Sequence, residues 1–139
     1  MKIINPYYAL WADAIYYQKE KGDAENWKFL TFFYLSFLFC WNIVTLFSIT
    51  LFFTGYDMAS EIREILAFSS SKMIGNIVWA IIVLFMPTFG LNYFFIFYKK
   101  KYEFILKRYK FKNGKILLIY FIISVVSLFG FSLLNKFFP

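Results

Sequence analysis

Three runs of this chain contain no charged residue: Phe29–Thr54, Met73–Tyr98 and Ile116–Leu134, of 26, 26 and 19 residues. About 20 apolar residues at 1.5 Å each cross roughly 30 Å of hydrocarbon. The bilayer interior offers no water to backbone N–H and C=O groups, so each run must satisfy them within itself as a helix. Alternating strand-like patterning is absent. The two longer runs reach about 39 Å and must tilt or protrude into a headgroup layer. Composition agrees: the chain is 61% hydrophobic and 17% charged, against about 45–50% and 25% in water-soluble domains, which also excludes disorder. The expected fold is all-α, a polytopic integral membrane protein with three transmembrane helices plus short amphipathic interfacial helices. Residues 1–139 form a single membrane domain in this reading.

Charge orients the spans. Lys2, Lys19, Lys21 and Lys28 precede the first, and Lys99, Lys100, Lys101, Lys107, Arg108, Lys110, Lys112 and Lys115 follow the second, twelve in all. Arg63, Lys72 and Lys136 make three on the opposite side. The positive-inside rule then places the N-terminus and second loop in the cytoplasm and the first loop and C-terminus outside. The expected location is the cell (inner) membrane, of prokaryotic or phage type. The first 28 residues carry four Lys and four acids without a continuous apolar stretch, so no secretory signal peptide is read there, and the first span is an uncleaved anchor. Neither terminus has a lipidation pattern.

Between the spans, Asn5-Pro6 is a helix start, with Asn as cap and Pro at the first helical position. On the helix expected over 6–21, Tyr7, Leu10, Trp11, Ala14 and Ile15 gather on one face while Asp13 and Tyr16 look away. This is the pattern of a cytoplasmic interfacial helix, or of one packed on a partner. Asp23 caps the next helix. In the first loop Asp57 caps an amphipathic helix over 57–68, with Met58, Ile62, Ile65 and Leu66 at helical spacing. Glu61 and Glu64 fit its solvated face better than an ion site.

The second loop is the most distinctive water-exposed region. Span 73–98, kinked near Pro87, is expected to continue as a basic helix to 112, ended by Asn113-Gly114. Tyr98, Tyr102, Ile105, Leu106 and Tyr109 share one face, whereas Phe104 and Phe111 fall among the cations. Lys99, Lys100, Lys101, Phe104, Lys107, Arg108, Lys110, Phe111 and Lys112 are therefore the candidate docking residues. Three readings compete: orientation and binding of anionic lipid headgroups, docking of an acidic cytosolic protein, and nucleic-acid binding. The last is disfavoured, because Lys outnumbers Arg 13 to 2 and no nucleic-acid-binding motif is present.

Within the spans, Asn42, Asn76 and Asn92 are the strongest polar groups. Thr31, Tyr34, Asn42, Thr45 and Ser48 fall along one face of the first helix; Thr31, Asn42, Thr45 and Ser48 are the candidate polar stripe, with interhelical hydrogen bonding as the plainer reading. Ser124, Ser127 and Gly130 form a small-residue strip suited to close helix packing. Pro87 and Gly90 are the candidate hinge, a static kink being the plainer meaning.

No catalytic residue is expected. The chain has no His and one Cys, and no acid within a span to act as base. Metal ligation by Cys or His clusters is impossible by count, no glycine-rich phosphate loop is present, and no cofactor is expected. The expected function is that of a non-catalytic subunit or docking platform of a membrane complex, acting through the basic helix, with a membrane-protein partner or further copies of itself. The alternative is a homo-oligomeric pore-forming or membrane-perturbing effector that resembles holins or immunity effectors in general plan, by size and span count only.

Overall fold

The computed structural model describes residues 5–65 and 72–137. Every regular element among the described residues is helical. Three helical stretches are long and apolar enough to cross a membrane. Lys2, and the part of the expected first-loop helix from Leu66 to residue 68, lie outside the described residues.

In chain order the elements are α1 (Pro6–Lys21), α2 (Trp27–Thr54), α3 (Met58–Ile65), α4 (Lys72–Trp79), a π-helical turn at Ala80–Phe85, α5 (Met86–Asn92), a second π-helical turn at Tyr93–Phe97, a short 3-10 turn at Tyr98–Lys100, α6 (Lys101–Arg108) and α7 (Lys115–Phe137). By internal contacts the chain divides into two compact units, residues 1–36 with 89–123 and residues 37–88 with 124–139. α2 contributes to both.

In the first unit α1 begins as its sequence dictates. The Asn5 side chain accepts the Tyr7 N–H at 3.0 Å, with Pro6 at the first helical position. Its middle is not amphipathic in the structure, for Leu10, Trp11, Ala12, Asp13, Ala14 and Ile15 are buried in unbroken succession. A helix covered on all sides belongs to an interior; here α1 packs on α6.

The expectation that Asp13 and Tyr16 look away from the packed side is corrected. Asp13 is 0% exposed, and its carboxylate accepts four backbone N–H groups. Oδ1 takes Lys112 at 2.8 Å and Gly114 at 3.1 Å, while Oδ2 takes Ile116 at 2.9 Å and Leu117 at 3.3 Å. Ile116 and Leu117 occupy the second and third positions of α7, whose amides have no intrahelical partner and which a capping side chain normally satisfies. The residue at the cap position is Gly114, which has no side chain. Asp13 supplies the missing carboxylate from α1, and its negative charge also suits the positive end of the α7 dipole. Tyr16 donates its hydroxyl to the Leu106 carbonyl at 2.9 Å. A helical wheel ranks side chains by polarity and does not register donors arriving from about a hundred residues along the chain.

The loop around Asp13 needs its own residue types. Asn113 and Gly114 both have positive φ, 58° and 75°, a conformation Asn and Gly tolerate best. A Cβ at Gly114 would also lie 2.7 Å from Cδ2 of Tyr17. The Lys21 ammonium closes the loop by donating to the Asn113 side-chain oxygen.

In the second unit, Pro87 stands one residue into α5. It has no N–H and its ring would strike the carbonyl four residues back. The turn before it widens into the π-helical stretch Ala80–Phe85, a usual place for such a conflict to be absorbed. The carbonyl of Leu84 accepts the Thr88 hydroxyl at 2.5 Å and the Cys40 thiol at 3.4 Å. Asn135 ties α7 to α2 by donating to the Ser48 carbonyl at 2.8 Å. α3 buries no residue; Asp57 caps it through the Ser60 N–H at 3.0 Å.

Asp13→Ala should cost about 3 kcal/mol or more in unfolding free energy, because several buried N–H groups lose their acceptor at about 1–3 kcal/mol each. Asp13→Asn, which retains one acceptor oxygen, should cost less. Thermal unfolding of the detergent-purified protein followed by helical circular dichroism measures both.

Candidate functional site

The basic segment emerges from the second apolar run through the π-helical turn at Tyr93–Phe97. The expected unbroken helix to 112 is corrected by the structure. Lys99 and Lys100 have φ of 52° and 57°, and two successive left-handed residues end a right-handed helix. The basic helix restarts as α6 at Lys101 and stops at Tyr109, whose φ and ψ of −110° and 134° are extended. Asn113-Gly114 belongs to the Asp13 loop rather than to the helix end.

The restart redirects one face of α6 into the unit. Tyr102 and Ile105 are buried, and the Tyr102 ring meets Trp27 at 5.3 Å and Phe97 at 5.9 Å. Two cations from the N-terminal region sit on the same aromatic group: Lys19 lies 4.7 Å from the Trp27 centroid, and Lys28 lies 5.4 Å from that of Tyr102. Tyr109 accepts the Asn5 N–H at 3.2 Å. Tyr98, expected on the face of Tyr102, stays exposed beyond the break.

The other candidates divide sharply. Lys99, Lys100, Phe104, Lys107, Arg108, Lys110 and Lys112 are exposed. Lys101 is half-buried, its ammonium 4.5 Å from the Phe94 centroid and donating to the Phe94 carbonyl at 3.2 Å. Phe111 is half-buried too, with its ring 5.7 Å from that of Tyr16. Phe111, expected as a docking residue, thus meets an aromatic ring of its own chain, while Phe104 remains 65% exposed.

Behind this face lies a polar link into the apolar run. Asn92, 4% exposed, accepts the Tyr7 hydroxyl at 2.8 Å and donates to Ser36 at 2.9 Å. Asn92 thus hydrogen-bonds helix to helix, from α5 to both α1 and α2. Burial pushes the Tyr7 phenol up to about 12.

The remaining candidates lie on the apolar stretches. The stripe residues are all on α2, Thr31 in its part within the first unit and Asn42, Thr45 and Ser48 in its part within the second. Thr31 is 2% and Thr45 5% exposed, and the Thr45 hydroxyl donates to the Trp41 carbonyl of its own helix at 3.0 Å. Pro87 and Gly90 are both exposed. A Cβ on Gly90 or Gly130 would meet nothing within 4 Å, so the strip through Gly130 is not closed by this chain. Glu61 and Glu64 are exposed, and Glu61 accepts the Tyr56 hydroxyl. Among the described residues no group of three His, Cys, Asp or Glu is placed to hold a metal ion.

Sequence reasoning missed Asp13 and the Tyr7–Asn92–Ser36 link. A signal for the first was present: one acid between Ala12 and Ala14, inside a run otherwise apolar or aromatic from Tyr7 to Tyr17.

Fold and site together define an all-α, multi-pass membrane protein with a compact basic unit. Comparison with protein-family models, curated proteins and solved structures returns no match to this chain.

The Tyr7 shift predicts a pH dependence. The folded state holds the phenolic proton more tightly than the unfolded chain, whose tyrosine ionises near 10. The contribution is therefore complete below about pH 10 and lost as pH rises toward 12. Unfolding midpoints across this range should fall more steeply for the wild type than for Tyr7→Phe.

Proposed function

We propose that the chain is a non-catalytic subunit of a membrane complex and that its basic unit is a docking platform for an acidic partner. The observation that carries this reading is Phe104. It is 65% exposed on a helix whose Tyr102 and Ile105 are buried. Its neighbours within α6 at three and four positions are Lys101, Lys107 and Arg108. An exposed aromatic anchor ringed by cations has the chemistry of an interface centre with a polar rim. The platform supporting it is held by internal bonds from α1, so a partner would meet a preformed surface and lose little affinity to ordering.

In this reading the twelve-to-three distribution of basic residues sets the N-terminus and the platform in the cytoplasm, with the C-terminus outside a prokaryotic or phage-type inner membrane. The non-catalytic assignment rests on the composition, which has no His and a single Cys. The alternative, a homo-oligomeric pore or membrane-perturbing effector, needs a free polar stripe on the first span. Burial of Thr31 and Thr45, and the bond from the Thr45 hydroxyl to its own helix, weigh against it.

The mass of the complex extracted from its native membrane in nanodiscs tests the docking reading. A hetero-complex is expected, and Lys107→Glu with Lys110→Glu should reduce the partner about tenfold or more, as loss of complementary charge does at such surfaces. A homo-oligomer of this chain alone, unchanged by the double substitution, would sink it. Dissipation of membrane potential on expression, abolished by Asn42→Leu, would favour the pore.

A further inference from the structure

Beside Phe104 a cleft of about 200 Å³ opens in the first unit, lined by Tyr8, Phe95, Lys101, Phe104, Arg108 and Tyr109 among others. We propose that it holds the headgroup of an anionic phospholipid, with the phosphate between Lys101 and Arg108. This goes beyond the docking reading and does not depend on it.

Four features point to this occupant. The cleft straddles the edge of an apolar run: Phe95 lies within Met73–Tyr98, whereas Lys101 and Arg108 lie beyond it. That is the level at which lipid phosphates meet a spanning helix. Its two formal charges are both positive, and Arg108 is one of two arginines among 15 basic residues; a guanidinium fork matches phosphate oxygens in a way an ammonium does not. Lys101 and Arg108 are seven residues apart on α6, two turns or about 10 Å along one face. A phosphodiester with its glycerol bridges that interval better than a free phosphate ion. The aromatic wall, finally, continues along the exposed rings of Phe94 and Phe95, an apolar track for the acyl chains. The volume is below the roughly 300 Å³ at which pockets for whole drug-sized ligands begin, which suits a headgroup whose chains remain in the bilayer.

The test uses the full-length protein in mixed micelles containing equal amounts of phosphatidylglycerol and phosphatidylcholine with matched acyl chains, read by native mass spectrometry. One phosphatidylglycerol should be retained in preference to phosphatidylcholine. Each cation of the cleft should contribute about fivefold to that preference, so Arg108→Gln should lower it about fivefold and Arg108→Gln with Lys101→Gln should bring it near unity. Helical circular dichroism establishes that the variants are folded, and the single Arg108→Gln variant carries the test if the double one is not. Lys19→Gln with Lys115→Gln removes equal charge from the same unit outside the cleft and should leave the preference intact. Three results would overturn the proposal: preference retained in folded Arg108→Gln, equal loss in the Lys19 and Lys115 control, or displacement of the lipid by equimolar inorganic phosphate. The last would identify a phosphate-ion site. Loss of partner docking in Lys107→Glu with Lys110→Glu, with lipid retention unchanged, would distinguish the docking contact from the lipid cleft, which share Phe104, Lys101 and Arg108.

Discussion

The first unit depends on a single carboxylate. A charged group taken wholly out of water is stable only when its hydrogen-bonding capacity is met, and Asp13 meets it with four backbone N–H groups from residues 112–117. The need is mutual. The first turn of α7 has amides without partners, and Gly114 at its cap position has no side chain to give them. Gly114 is nonetheless required there by its positive φ and by the closeness of Tyr17. A residue able to cap α7 from within the loop would not fit the loop, so the cap comes from another helix. Fastening α1 to the start of α7 in this way also brings α1 against α6, which lies on the chain between the two.

The apolar segments obey a different constraint, that no backbone group may be left bare where water is absent. Pro87 breaks the helical ladder, and the turn before it widens into a π-helical stretch; nearby, the Leu84 carbonyl takes the Thr88 hydroxyl and the Cys40 thiol. The span hydroxyls mostly turn back on their own helices: Thr45 to Trp41, Thr50 to Leu46 and Thr54 to Thr50. Of the residues that look like a wet path in a linear pattern, Thr45 is turned back on its own backbone, while the Thr31 hydroxyl is buried without a hydrogen-bond partner. Asn92 differs, since its amide joins α1 and α2.

On the basic unit, charge and aromatic character are sorted by burial. The rings of Trp27, Tyr102 and Phe97 pack together, while most of the cations of the second loop stay in water. The sorting follows from the left-handed residues at Lys99 and Lys100, each costing about 1–2 kcal/mol outside glycine. Strain of that size persists where surrounding packing determines it. Here the redirected helix buries Tyr102 and Ile105 and leaves Phe104 outside, which is the asymmetry that both proposals for this unit use.

The spans, the all-helical class, the caps at Asn5 and Asp57, and the membership of the basic segment were legible in the sequence. Each follows from a residue's own chemistry or from neighbours within one or two turns: a charge-free run of sufficient length, or an acceptor two or three residues before the amides it caps. The break at Lys99, the burial of Asp13 and the internal use of Phe111 were not. Those depend on which surfaces come together across 85 to 104 residues of chain. Local pattern reports how polar a side chain is, whereas only the tertiary structure decides whether a polar atom finds a distant partner. By itself the sequence determined that this protein belongs in a membrane, because hydrocarbon tolerates long charge-free helices and water does not. The tertiary structure alone decided that its one acid flanked by alanines is an interior fastening, because four amides of another segment supply the hydrogen bonds that water would otherwise provide.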